Sequence, residues 1–155
     1  MEEVLIDQVT DTFAEDGGEI LLFFVNEVLY GIDIRFITEI IGIQPITIVP
    51  LVPSYIKGVI NIRGKVVPVI SARRKFGLPE IDYDEKTCII VVEVNETPVG
   101  IIVDMVRAVQ SVMPGDICSS PGAGTVNPSD QYVSTIIESD GEIKLLLDIH
   151  KLVLE

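Results

Sequence analysis

The sequence predicts an all-β protein built as two similar units of about five short strands each, punctuated by short helical turns. Hydrophobic residues fill 48% of the 155 positions, yet tryptophan is absent and aromatics reach only 6%. The core must therefore come from Ile, Val and Leu, which favour strands. Two separate blocks of the chain also recur, at offsets of 69 and 77 residues. Finally, apolar runs alternate with Asn, Asp and Gly corners at the close spacing expected of hairpins.

Residues 1–18 are acidic and end in Gly17-Gly18, which reads as a flexible lead into the domain at 19–154. Placing Leu21–Ile40 over Ile90–Val109 sets Asn26-Glu27 on Asn95-Glu96 and Gly31 on Gly100. Each copy is an apolar run, a polar corner, a second apolar run with one glycine, then a helical turn or further strand. Isolated strand glycines such as Gly31 and Gly100 mark a sharp bend or close backbone approach.

The second block sets Gly64–Ser71 on Gly141–Asp148, each preceded by an apolar strand (Val59–Ile62, Val133–Ile137). Each is followed by a brief amphipathic stretch, Ala72–Phe76 or Ile149–Val153. Asp140-Gly141 signals a type I′ turn, whose two central residues need positive φ, and Asn61–Gly64 is the equivalent corner. Pro68 cannot donate a ladder hydrogen bond and should mark an edge or bulge. The extra residues of the second copy are expected in the Pro- and Gly-rich stretch Pro114–Pro128. The repeat halves thus run about 19–80 and 86–154. Short, strongly bent strands with glycine corners suggest small closed barrels, SH3-like or OB-like. Barrels this small bury too little alone, so a shared interface must supply much of the core.

Charge narrows the partners. The net charge of −13 would repel nucleic acid. The stretch between Glu39 and Glu80 nevertheless holds no acidic residue and six of the eleven basic ones: Lys57, Arg63, Lys65, Arg73, Arg74 and Lys75. It is either a basic segment bordering acidic neighbours on the same molecule or a docking stripe for an acidic protein surface. No apolar run approaches the ~18 residues that would span a bilayer. The two cysteines, Cys88 and Cys118, suit a reducing compartment better than a secreted scaffold. The expected location is cytoplasmic, with any membrane association made through a partner.

Catalytic constellations are missing from the sequence. The single histidine, His150, has no triad partners in view, and surface or packing roles suit it. No zinc spacing, P-loop, GxGxxG or HExxH is present. Asp82, Asp84 and Glu85 lack the glycine and terminal glutamate of a calcium loop and read as a solvated linker. The expectation is a binding protein without catalytic residues, metal or cofactor.

The stretch Tyr55-Ile56-Lys57-Gly58-Val59-Ile60-Asn61-Ile62-Arg63-Gly64-Lys65-Val66-Val67-Pro68-Val69-Ile70 resembles the signature of the CheW-like family. Tyr30–Ile34 upstream and Val99–Asp104 downstream resemble that family's strand motifs in the same order, so the similarity covers about residues 19–154. The resemblance implies two intertwined five-stranded barrels. It implies a stand-alone adaptor holding the regulatory domain of the histidine kinase CheA against the cytoplasmic tips of methyl-accepting chemoreceptors. It further places receptor contact at Ile37, Glu39 and Arg63, with Cys88 and Ile89 lining a groove between the barrels, and kinase contact at Gly58 and Lys57. The family has an acidic residue after the PVI run, where this chain has Ser71, whereas the second repeat keeps Asp148. A role for that carboxylate in pairing with Arg73 is thereby put in question.

Structural roles compete at each position. Arg63 could simply close its turn, Gly58 could serve only the backbone, and Ile37, Cys88 and Ile89 fit a core on periodicity alone. Two other functions remain open: an adaptor in another chemosensory or pilus-motility array, and an OB-like small-ligand or oligonucleotide module. The second would want aromatic platforms and a basic groove, which this composition lacks.

Overall fold

The computed structural model describes residues 16–118 and 128–154; residues 1–15 of the expected flexible lead and residues 119–127 of the Pro114–Pro128 stretch lie outside them, while Gly18 already opens the first strand. Ten strands follow in chain order: β1 (Gly18–Val25), β2 (Val28–Asp33), β3 (Ile37–Gly42), β4 (Ile56–Ile62), β5 (Lys65–Ser71), β6 (Cys88–Val94), β7 (Thr97–Val103), β8 (Met105–Val112), β9 (Val133–Ser139) and β10 (Glu142–Leu147). Two short helices complete the repeats, α1 (Ala72–Lys75) and α2 (Ile149–Leu154).

Four hairpins turn through two residues, both at positive φ: Asn26-Glu27, Arg63-Gly64, Asn95-Glu96 and Asp140-Gly141. The flanking pairs Val25↔Val28, Ile62↔Lys65, Val94↔Thr97 and Ser139↔Glu142 confirm two-residue loops. This is the type I′ geometry, whose twist matches that of the strands it joins.

The strands form two five-stranded sheets, ordered β8-β1-β2-β10-β9 (sheet A) and β3-β6-β7-β5-β4 (sheet B). Each sheet takes its opening hairpin from one repeat and its other three strands from the other. Parallel ladders join the repeats, Tyr30↔Leu145 and Gly31↔Leu146 in sheet A and Val69↔Gly100 through Ser71↔Ile102 in sheet B. The edges then curl toward each other. The chain just past β3 bridges β4 at Thr47↔Val59, and the chain past β8 bridges β9 at Ile117↔Ile137.

Pro68 is not at an edge, because β5 is internal, between β7 and β4, but the β4–β5 register shifts between Ile56 and Gly58, one pair on from Val59↔Pro68. The proline is tolerated for a specific reason. It lies opposite Val59, whose N–H and C=O are both taken by Thr47, and it precedes the β7 ladder, which begins at Val69. Gly31 and Gly100 mark close approach, as expected. A Cβ on Gly100 would fall 2.8 Å from Ile89 Cγ2, and one on Gly31 would fall 2.9 Å from Ile20 Cδ1.

Strand alternation sends side chains into two kinds of core. Ile20, Leu22, Leu29, Val112, Ile137 and Leu146 fill the inside of sheet A, and Ile60, Val67, Val69, Ile89, Val91 and Ile102 fill that of sheet B. The opposite faces of β1, β2, β6 and β7 meet in a larger seam containing Leu21, Phe23, Ile90, Val92 and Ile101. Burial on both faces explains why these strands read as nearly continuous apolar runs. The helices cross the seam: Phe76, after α1, lies 5.0 Å from the ring of Tyr30 in sheet A and 6.0 Å from Tyr132.

Phe76 therefore anchors the seam, and Phe76→Ala is expected to cost about 3–5 kcal/mol. Urea unfolding of the variant checks this; an unshifted midpoint would remove Phe76 from the core.

Candidate functional site

Glu39 and Arg63 are 24 residues apart in sequence, yet their side chains form an ion pair. Glu39 lies on β3 where the register with β6 shifts between Ile37 and Glu39. Arg63 stands in the β4–β5 turn, at the opposite edge of sheet B, so the pair forms where the sheet curls closed. The Arg63 side chain is 76% exposed and that of Glu39 is 24% exposed. Asn61 shapes the corner by accepting the Gly64 N–H at 3.0 Å. An exposed pair of this kind contributes about 0–1 kcal/mol to stability. It leaves a guanidinium at the barrel rim, available to a partner.

The other expected site residues divide. Ile37 and Cys88 are half-buried and pack against the seam core, at opposite ends of the β3–β6 ladder (Ile37↔Val92, Gly42↔Cys88). Ile89 does not, because it is wholly buried inside sheet B beside Gly100. The expectation that Ile89 lines a groove is corrected: strand alternation turns it away from the seam that Ile90 faces.

Gly58, expected at the kinase contact, is likewise buried, and its backbone has a structural task. Its φ is +144°, and a Cβ there would sit 2.1 Å from the Thr47 carbonyl oxygen. Only glycine permits the bridge that closes sheet B. Lys57, next to it, is partly exposed and binds Glu80 at 3.2 Å.

Most of the basic stretch turns out to meet carboxylates of the same molecule. Glu80 holds both Lys57 and Arg74, Asp104 holds Arg73, and Glu39 holds Arg63. Lys75 lies over the Tyr55 ring, 3.8 Å from its centroid. The intramolecular reading of that stretch is thus the better description, and Arg63 and Lys65 are its exposed tip.

Ser71 is explained as well. Its Oγ accepts the Arg74 N–H at 3.2 Å and caps α1, as Asp148 Oδ1 accepts the Lys151 N–H at 3.2 Å and caps α2. Serine and aspartate are interchangeable in that task. Arg73 takes its carboxylate from Asp104 in the other repeat, and this bond holds the guanidinium above its ordinary pKa.

Sheet A closes by the same device with the charges exchanged. Arg107 on β8 donates to Glu142 at 2.8 Å, and Gln110 donates to Asp140 in the β9–β10 turn at 3.2 Å. The sequence reading missed this, although the acidic run Glu138–Glu142 against the basic Arg63–Lys65 could have shown it. It also missed an open cleft of about 520 Å³ beside Lys57, lined by Ile46, Ile48, Ile56, Arg74 and Tyr83 among others. Among the described residues, no group of three or more His, Cys, Asp or Glu side chains could hold a metal ion. His150 packs edge-on to Phe36, 5.8 Å between ring centroids.

The geometry describes a two-barrel β-protein whose features are rims, clefts and a seam, the equipment of a scaffold. The chain belongs to the CheW-like family: the family described as CheW-like domain matches residues 19–155. It is 37% identical to the chemotaxis protein CheW of Klebsiella aerogenes over 88% of this chain and 81% of that protein. Against the chemotaxis protein CheW of Bacillus subtilis it is 34% identical, covering 85% and 84% of the two chains. Among solved structures, the scaffolding protein TtCheW from Thermoanaerobacter tengcongensis superposes with a TM-score of 0.79 at 32% identity, covering 87% of this chain and 91% of that one.

Two substitutions separate closure from contact. Gly58→Ala is expected to destabilise the fold by about 2–4 kcal/mol through its clash with Thr47, whereas Arg63→Ala should stay within about 1 kcal/mol. Thermal unfolding of the two variants side by side measures the contrast; equal losses would contradict it.

Proposed function

We propose that the protein is a non-catalytic adaptor of bacterial chemotaxis signalling, coupling methyl-accepting chemoreceptors to the histidine kinase CheA. The observation that carries the reading is the Glu39–Arg63 pair. Two residues that the family resemblance assigns to receptor contact, on separate elements, meet at one exposed rim. Ile37 adds half-buried apolar surface beside Glu39, and Cys88 adds more at the far end of the same ladder, a spacing along which one face of a helix could lie. Lys57 and the adjoining cleft offer a second, distinct face for the kinase. No helix among the described residues is long and apolar enough to cross a membrane, so the adaptor would reach the receptor array through its partners.

Reconstitution with a receptor signalling fragment and CheA tests the role: the protein should join the complex and change kinase activity. Failure of both would refute it. Glu39→Lys places two cations at the rim and should weaken receptor binding by roughly tenfold, about 1.4 kcal/mol, with the fold unchanged by circular dichroism. Adding Arg63→Glu restores an opposite pair and should recover part of the loss. Titration of the fragment against the three proteins decides, and unchanged binding in the single variant would remove Glu39 from the contact.

A further inference from the structure

The chain passes from sheet B to sheet A within one residue, because β7 ends at Val103 and β8 begins at Met105. That residue is Asp104. Its N–H donates to the Phe24 carbonyl at 3.1 Å, which anchors it to β1. Its carboxylate then reaches both sides of the seam. Oδ2 accepts the Asn26 N–H of the β1–β2 turn at 2.8 Å, and Arg73 donates to Oδ1 through Nε at 2.9 Å and to Oδ2 through Nη2 at 2.7 Å. Arg73 belongs to α1, directly after β5 of sheet B, and also donates to the Pro79 carbonyl at 3.2 Å.

The first crossover is fastened differently. Between Asp33 at the end of β2 and Ile37 at the start of β3 lies a three-residue 3₁₀ turn. Asp33 directs its carboxylate to Arg35, two residues on, accepting its backbone N–H at 3.0 Å and its Nη2 at 2.7 Å. His150 occupies the position equivalent to Arg73 at the 77-residue offset, and it meets Phe36 through a ring edge. The second crossover is therefore pinned across the seam by a bidentate ion pair, and at the first an aromatic contact joins Phe36 to His150. The ion pair is the more directional of the two, and both its members are largely shielded, with side chains 12% and 22% exposed.

We propose that Asp104 is a positioning residue: by holding Arg73 of one barrel and the Asn26 backbone of the other on one carboxylate, it sets how the barrels sit across the seam. The proposal deepens the adaptor reading and rests on it, since a groove along the seam takes its shape from that orientation. Asp104 fixes the orientation at this crossover, and Ile37, beside Phe36, lies at the other.

Residual dipolar couplings of the backbone amides test the orientation without any partner present. In the wild type, both sheets should fit a single alignment tensor. In Asp104→Asn, each sheet should keep its amide protection but the single tensor should be lost, the two sheets requiring separate ones. Arg73→Lys keeps the charge and loses the fork, and should show the same loss if Asp104→Asn does not fold. A common tensor in the folded variants, even with lowered stability, would overturn the positioning role. Affinity for the receptor fragment should fall about tenfold in the same variants. Separate tensors with unchanged affinity would uphold Asp104 and instead overturn the groove as the receptor site.

Discussion

The parallel ladders between β2 and β10 and between β5 and β7 are the constraint on which the remaining structure depends. Each joins a strand of one repeat to a strand of the other, so neither repeat completes a sheet from its own residues. The exchange places the hydrophobic faces of both opening hairpins back to back and creates the seam. It also requires contacts far apart in sequence, such as Tyr30 with Leu145. Such pairings form late, after a large loop entropy has been overcome, and place the fold among slow-forming topologies.

Closure of each sheet leaves a rim, and charge distinguishes the two. Around sheet B the turn is basic and the edge strand acidic, as Arg63 and Glu39 show. Around sheet A the edge strand supplies Arg107, the turn supplies Asp140 and the first residue of β10 supplies Glu142. The shared task is to hold the curled sheet shut, and either order of charges does it. Divergence at these positions changed what each rim offers to a partner and left the closure intact.

Much of this was legible in the sequence where the signal was local. The two offsets located the repeats, Asp140-Gly141 announced its turn, and Gly31 and Gly100 marked close packing. Pairing across the repeats was not local; the duplication says which strands are equivalent, not which copy each joins, and only the family resemblance implied intertwining. Ile89 and Ile90 show a second limit. Both are buried, so period-2 alternation could not assign one to the barrel interior and the other to the seam. Gly58 and Pro68 each looked exceptional for a correct backbone reason, but the Thr47 bridge that explains both lies in an irregular segment. The Arg73–Asp104 pair spans 31 residues and two repeats, beyond the reach of any motif.

The strand exchange also bears on symmetry. A chain of half this length could complete either sheet only by borrowing from a second copy, so the present protein behaves as a homodimer fused into one polypeptide. A true homodimer would carry the same surface twice and could offer its partners only identical ends. Fusion released the two copies to change independently. Arg63 opposite Asp140, Ser71 opposite Asp148 and Arg73 opposite His150 record that release, and unlike ends are what a molecule needs to stand between two unlike neighbours.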